Sequence, residues 1–590
     1  MTFLKFGSIR FSTAAILAVG FLISVVTAAG PFPKTDAVTL IDIEHVATAE
    51  RFLDRLEPFG LNGTVLVAQG EDVFINRAFG LADARTGVPN STATLFSTGS
   101  VTKQFTAAAV LDLEVKGKLS VDDPITAYFE NVPEDKQAIT VHHLLTHTAG
   151  LRPAYGSDED PITRQQLVRL IFDTPLELPP GQQYQYSNGG YSLLAAIVEI
   201  VSGVEYETYL RDTFFAPLAM RATGLHDLSV EPERVSRSHN PAVDFASPLD
   251  RPEECWFLEG NGGILSTTSD MLKWCRALRD GLVLPESALE RMFTPWVLEY
   301  QDGTSFYGYG WVVDEYKDGK RLVWHNGGSM PQGWGCTVYH FVDDDLLFVV
   351  FTNKTIEGIH PADLIVERLA SILIGTGTPL PPALGQEPVS GVAAASHAGT
   401  YALAGGGLFR VTSPGGYLLI RPEGQPAVSA LFPSPYSDRL PQYNDLTVKL
   451  VTAIAGGDVD KALEFFDTGM ATKGEWQRMI KEWWGSLRDM GEFVRIEPVG
   501  TIASDGAHTH CRLYFSEATI DCRFFWMAGQ CGGIRPNADP PERELLGQTP
   551  NRFVSYSLTT GTAITVDFPS SNRLVIEQDD TRIEAVRNGG

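Results

Sequence analysis

Apolar residues change their spacing several times along the chain, and each change predicts an element. Ile43, Val46, Ala47 and Phe52 recur at helical spacing, after which Thr64–Ala68 and Val73–Ile75 read as two strands turned at Gly70-Glu71-Asp72. From about Ser100 to Lys116 the residues Phe105, Ala108, Ala109 and Leu113 share one helical face, and Gly117 stands where that helix should end. Residues 124–236 are mostly helical in pattern. Strands return at Leu322–Trp324, Cys336–Val342 and Leu346–Thr352, and an amphipathic helix over Ala362–Leu373 follows them. Strands at both ends and helices between predict an α+β domain over 37–375, a central antiparallel sheet flanked by helices with a mostly helical lobe.

Residues 376–392 are rich in Pro and Gly, carry neither period, and read as a linker. Beyond it, short strands at 399–403, 408–412 and 417–421 and again at 554–558, 564–568 and 574–577 predict a barrel-like domain split into 393–438 and 545–590. Between its halves, helical spacing over 443–454, 459–466 and 476–487 precedes two alternating segments, Cys511-Leu513-Phe515 and Ile520-Cys522-Phe524-Trp526. This order predicts an inserted α+β domain over 439–544, similar to the cone-shaped fold of ketosteroid isomerase relatives. With a turn at Ser516-Glu517, Cys511 and Cys522 would stand opposite each other.

Residues 1–29 have the order of a cleavable signal peptide: Lys5 and Arg10, an apolar run from Ala14 to Val26, then Thr27-Ala28-Ala29. The expectation is a periplasmic or secreted protein with no stable membrane insertion after cleavage; the competing reading is an uncleaved anchor. A net charge of −26 argues against a nucleic-acid partner, since phosphate contacts need clustered Lys and Arg. The six cysteines form no CxxC pair, so no structural metal and no cofactor are expected.

The candidate chemistry starts at Ser100-Val-Thr-Lys103. Residues three apart share a helical face, so the Lys103 amine can reach the Ser100 hydroxyl, a nucleophile with its base. Taken alone the pair is equally an N-cap Ser with a solvated Lys. Tyr186-Ser187-Asn188 lies on a loop before a helix read over 190–202, and His325-Asn326-Gly327-Gly328 directly follows the short strand 322–324, where glycines allow close approach.

In this order and with these gaps the three segments resemble the serine β-lactamase and penicillin-binding superfamily, specifically its class C-like branch, which includes D-aminopeptidases, DD-carboxypeptidases and esterases. Leu144-Leu-Thr-His-Thr-Ala-Gly-Leu151, Gly262 to Asp270 and Tyr307-Gly-Tyr-Gly-Trp311 resemble that branch's connecting segments. The resemblance implies Ser100 as acylated nucleophile, Lys103 as its activator and Tyr186 as proton shuttle. It implies Asn188, His325 and Gly327 as substrate-binding, with an oxyanion hole from the backbone N–H groups of Ser100 and Gly328.

The departure is His325, where lactamases carry a Lys; an imidazole there is expected to be partly charged near neutral pH and to hold a substrate carboxylate pH-dependently. D-aminopeptidase-like relatives share that histidine. His142, His143 and His147 have metal-like spacing, but the segment matches a family packing motif. The resemblance therefore implies an exported serine hydrolase acting on small D-amino-acid-containing peptides or amides, peptidoglycan-derived ones among them. An esterase or β-lactamase of the same fold, and a penicillin-recognising or peptidoglycan-binding protein with incidental turnover, are the alternatives.

Overall fold

In the computed structural model the described residues are 41–588 apart from 159, 227, 241–242, 253, 301–302, 330–331, 357–358, 435, 467–471, 504–505, 539 and 579–580. The expected signal peptide, 1–29, lies outside them. The chain divides into two compact units, one running to Leu380 with 558–561 added, the other comprising 381–557 and 562 onward.

The first unit is built on an antiparallel sheet. Helix α1 (Ile43–Leu56) leads into strands β1 (Gly63–Gln69) and β2 (Asp72–Phe79); helices α2 (Thr102–Val115), α3 (Asn188–Ser202) and α4 (Thr268–Arg279) follow. Strands β3 (Val312–Tyr316), β4 (Lys320–Ser329), β5 (Trp334–Phe341) and β6 (Leu346–Thr352) and helix α5 (Ala362–Leu373) complete it. The strand order is β2-β1-β6-β5-β4-β3, extended by the two-residue strands Phe306–Tyr307 and Val297–Leu298.

Burial explains the apolar runs. Every residue of β1, β5 and β6 is buried, so these strands need no polar face, whereas the edge strand β2 retains exposed positions. Leu347, Val349 and Phe351 of β6 join the core that holds Met271 and Cys275 of α4. The alternating residues Phe348 and Val350 point to the other face, where α5 packs on β5 and β6 with α1 against it. Helix α2 is buried almost throughout, and Gly117 and Lys118 close it by donating to the carbonyls of Glu114 and Leu113.

Two expectations change. The segment His325–Gly328 does not follow a short strand but belongs to β4, with Gly327 opposite Cys336 and Gly328 opposite Gly335. A ladder needs only backbone groups, so the glycines that looked like a strand end continue it. The middle of the chain contains fewer helices than its apolar spacing suggested, and much of 146–163 and 216–264 is irregular chain packed on the lobe.

The second unit contains a closed eight-stranded barrel made from 399–403, 408–412, 418–423, 543–549, 552–557, 562–570, 573–578 and 581–587. Between its third and fourth strands lie helices Pro441–Ala455, Val459–Leu463 and Lys473–Ser486 and a four-stranded antiparallel sheet. Cys511 and Cys522 are register partners in that sheet, both as free buried thiols. Trp476 and Trp526 are buried in its core, with Trp483 and Trp484 packed against it.

Candidate active site

The residues Ser100 to Lys103 turn from a 3₁₀ segment (Gly99–Val101) into α2, so the nucleophile candidate sits at the entry of a buried helix. The turn is pinned from behind: the Thr98 N–H and hydroxyl both donate to the Ile264 carbonyl at 2.9 Å. Strand β4 lies directly against it. A Cβ on Gly327 would stand 2.4 Å from the Ser100 nitrogen and 2.3 Å from the Thr98 oxygen, and one on Gly99, at φ +51°, would stand 2.4 Å from the Gly328 nitrogen. Only glycine lets the strand approach the turn this closely, and the approach brings the Ser100 and Gly328 backbone into one place.

Lys103 is fully buried. Its Nζ lies 3.1 Å from Ser100 Oγ, 2.9 Å from Asn188 Oδ1 and 2.9 Å from the Asn261 carbonyl, and 4.7 Å from the centre of the Tyr186 ring. Burial holds the amine well below its ordinary pKa, opposed only by the charge of Asp158. Two carbonyl acceptors take two N–H donors of a neutral amine, which directs its lone pair at the Ser100 hydroxyl.

Tyr186 is placed by its neighbour. Ser187 caps α3 by accepting from the Gly190 N–H, donates its hydroxyl to the Arg152 carbonyl at 2.6 Å, and donates its own N–H to His147 Nδ1 at 3.1 Å. The His147 ring packs against Tyr186 at a tilt of 36° with centroids 4.2 Å apart, so one imidazole holds both the backbone and the ring of this segment. Burial raises the Tyr186 pKa, offset in part by a hydrogen bond with the Ser100 side chain. Asn188 is the first residue of α3, directly after the capping serine, with its side-chain oxygen on Lys103.

His325 corrects the sequence expectation. Its side chain is buried, with Nδ1 at 2.6 Å from the Asn326 carbonyl and Nε2 at 3.0 Å from the Tyr307 hydroxyl. A carbonyl can only accept, so Nδ1 carries the proton and Nε2 accepts from the tyrosine. Burial and the neighbouring Lys103 push its pKa down to about 3. The imidazole is therefore neutral across the physiological range rather than partly charged, because burial penalises a charged ring in this dry pocket.

Sequence reasoning missed His147, Tyr307 and Asn261 as members of the site. His147 and Tyr307 were visible only inside connecting motifs, and Asn261 contributes a backbone carbonyl, which no residue type reveals. The other two histidines of the metal-like trio are engaged elsewhere: His142 Nδ1 meets the Tyr309 hydroxyl at 2.7 Å, and His143 Nδ1 accepts from the Thr140 N–H at 3.2 Å. Among the described residues no group of three or more His, Cys, Asp or Glu is placed to hold a metal.

Comparison with known proteins places the fold and the family. A penicillin-binding protein of Bacillus subtilis (strain 168) is 28% identical over 413 residues, 66% of this chain and 90% of its own length. A D-aminopeptidase of Brucella anthropi is 30% identical over 331 residues, 54% of this chain and 60% of its own length. The solved structure of an octameric penicillin-binding protein homologue from Pyrococcus abyssi has the same fold, with a TM-score of 0.51 at 19% identity over 91% of this chain and 99% of that one. The family model described as Beta-lactamase matches residues 60–371, which contain every residue of the site, and the chain belongs to that family as a serine hydrolase of the β-lactamase and penicillin-binding fold.

Proposed function

We propose that the protein is an acyl-enzyme hydrolase for small peptides or amides containing D-amino acids, with Ser100 as the nucleophile. The observation that carries the reading is the Lys103 amine, held well below its ordinary pKa by burial, without a carboxylate in hydrogen-bonding contact and 3.1 Å from Ser100 Oγ. Lys103 takes the Ser100 proton as the hydroxyl oxygen attacks the substrate carbonyl, and the oxyanion forms against the Ser100 and Gly328 N–H groups. Tyr186, in contact with Ser100, relays the proton to the leaving nitrogen and later draws one from the water that releases the acyl group. Asn188 spends its oxygen on Lys103 and keeps its amide N–H groups for the substrate carbonyl.

A neutral His325 supports amide substrates that offer no carboxylate to this strand, with the imidazole and Gly327 shaping the floor of the site. The D-aminopeptidase similarity supports the same substrate class. The export of the protein to the periplasm or medium is part of this reading and rests on the sequence of residues 1–29. Two measurements test it. A fluorophosphonate should label Ser100, and a panel of D- and L-amino-acid amides, short peptides, short-chain esters and penicillins should show turnover fastest on the D-amides; esters turned over faster than every amide would overturn the substrate class. Sequencing of the secreted protein should find its N-terminus near Ala29.

A further inference from the structure

A second cavity, of about 120 Å³, lies between the segments 225–228, 248–251 and 258–265, and none of Ser100, Lys103, Tyr186, Asn188 or His325 lines it. Its lining is mixed: Leu225, Leu228, Leu258 and Leu265 supply apolar wall, and Glu259 and Arg251 line it as well. Glu259 is 8% exposed. Among the described residues its carboxylate makes no hydrogen bond, and its one ionic neighbour within 4 Å is His226 Nε2 at 3.9 Å. Arg251 supplies the opposite charge, with its guanidinium over the Trp334 ring at 5.4 Å and its N–H groups 3.4 Å from Ser97 Oγ and 3.5 Å from the Gly263 carbonyl. A carboxyl this far from bulk water and without a protein hydrogen bond has to be completed by what reaches it through the cavity, water or a ligand.

We propose that this cavity is a binding site for a small aliphatic amino acid of about the size of alanine, with Glu259 receiving its ammonium, Arg251 its carboxylate and the leucines its side chain. The size agrees: an apolar cavity of about 150 Å³ holds one benzene, six heavy atoms, and alanine also has six. The leucines accept a short aliphatic side chain, while one acid and one guanidinium match a zwitterion. The site stands on its own geometry and does not depend on the reaction assigned to Ser100. It is nonetheless joined to that site through the chain, because Asn261, two residues beyond Glu259, holds Lys103 through its carbonyl.

Charge in the cavity gives the binding a pH signature. Burial, then the nearby carboxylates Glu207, Glu199 and Glu205, push Glu259 up to about 8. Binding an ammonium requires the ionised carboxylate, so affinity should strengthen as pH rises towards that value, with a proton released on binding. Of the other groups facing the cavity, His226 lies 3.9 Å from the carboxylate, Arg251 stays charged, and the Cys255 thiol is held neutral by burial.

Equilibrium dialysis of labelled D- and L-alanine against the full chain tests the site. The expected result is saturable binding of one molecule per chain by at least one enantiomer, retained after Ser100 is capped with a fluorophosphonate. Glu259→Gln and Arg251→Gln should each weaken it by at least about tenfold. Leu228→Phe, which narrows the cavity without touching a charge, should weaken it too, so the test survives if one variant fails to fold. No saturable binding of either enantiomer, equal affinity in Glu259→Gln, or binding abolished by capping would each overturn the proposal.

Discussion

In the unit that carries Ser100, the buried centre holds an amine with no carboxylate in hydrogen-bonding contact, two imidazoles forced neutral and a tyrosine hydroxyl against a serine. In the C-terminal unit, the buried polar groups between the barrel and its insertion complete one another. Gln425 exchanges hydrogen bonds with the Thr501 backbone at 3.0 and 2.8 Å, Asn444 bonds both Gln425 and the Thr501 hydroxyl at 2.9 Å, and Thr501 meets Thr509 at 2.8 Å. The difference separates chemistry from architecture. A network in which neutral donors meet neutral acceptors stabilises a fold and has nothing left to react, whereas an amine held below its ordinary pKa has kept a lone pair available.

The largest expected effect sharpens the first side of the comparison. Ser100→Ala should reduce turnover by about 10⁴-fold or more and abolish fluorophosphonate labelling; label recovered on another residue would break the assignment. Lys103→Met should cost about 10²–10⁴-fold in kcat, and Lys103→Arg should not rescue it, because a guanidinium stays charged and has no lone pair to offer. For the wild type, kcat/KM should fall as pH falls, since acid protonates the Lys103 amine whose pKa burial has lowered.

A smaller effect is expected where the structure acts through a neighbour. His147→Leu removes the acceptor for the Ser187 N–H and the ring packed against Tyr186, and should lower kcat by about 10–100-fold with little change in KM. Steady-state kinetics on one acidic and one neutral substrate, from about pH 5.5 to 8.5 around the ordinary imidazole value, should give superimposable profiles. His325, with its pKa near 3, has no transition there, and a carboxylate-specific loss on raising pH would break the neutral assignment. On the other side of the comparison, Asn444→Leu should cost about 1–3 kcal/mol by thermal unfolding and leave Ser100 labelling intact.

The sequence alone determined the spacing of Ser100 and Lys103, the order of Tyr186-Ser-Asn188 and His325-Asn-Gly-Gly, and helices α1, α2, α3 and α5 with the central strands of the first unit. These are legible because local period and turn chemistry set them. It also carried the family resemblance, and it put Cys511 opposite Cys522, since a tight turn sets hairpin register. What only the tertiary structure decided is the state of the groups. The Lys103 pKa is lowered by burial among partners such as Asn188 and Asn261, 85 and 158 residues away, and that of His325 by burial in a pocket where Tyr307 closes its second ring nitrogen. A side chain's type fixes which protons it can hold, but the dielectric and the partners around it fix which it does hold, and those are assembled only when distant segments pack.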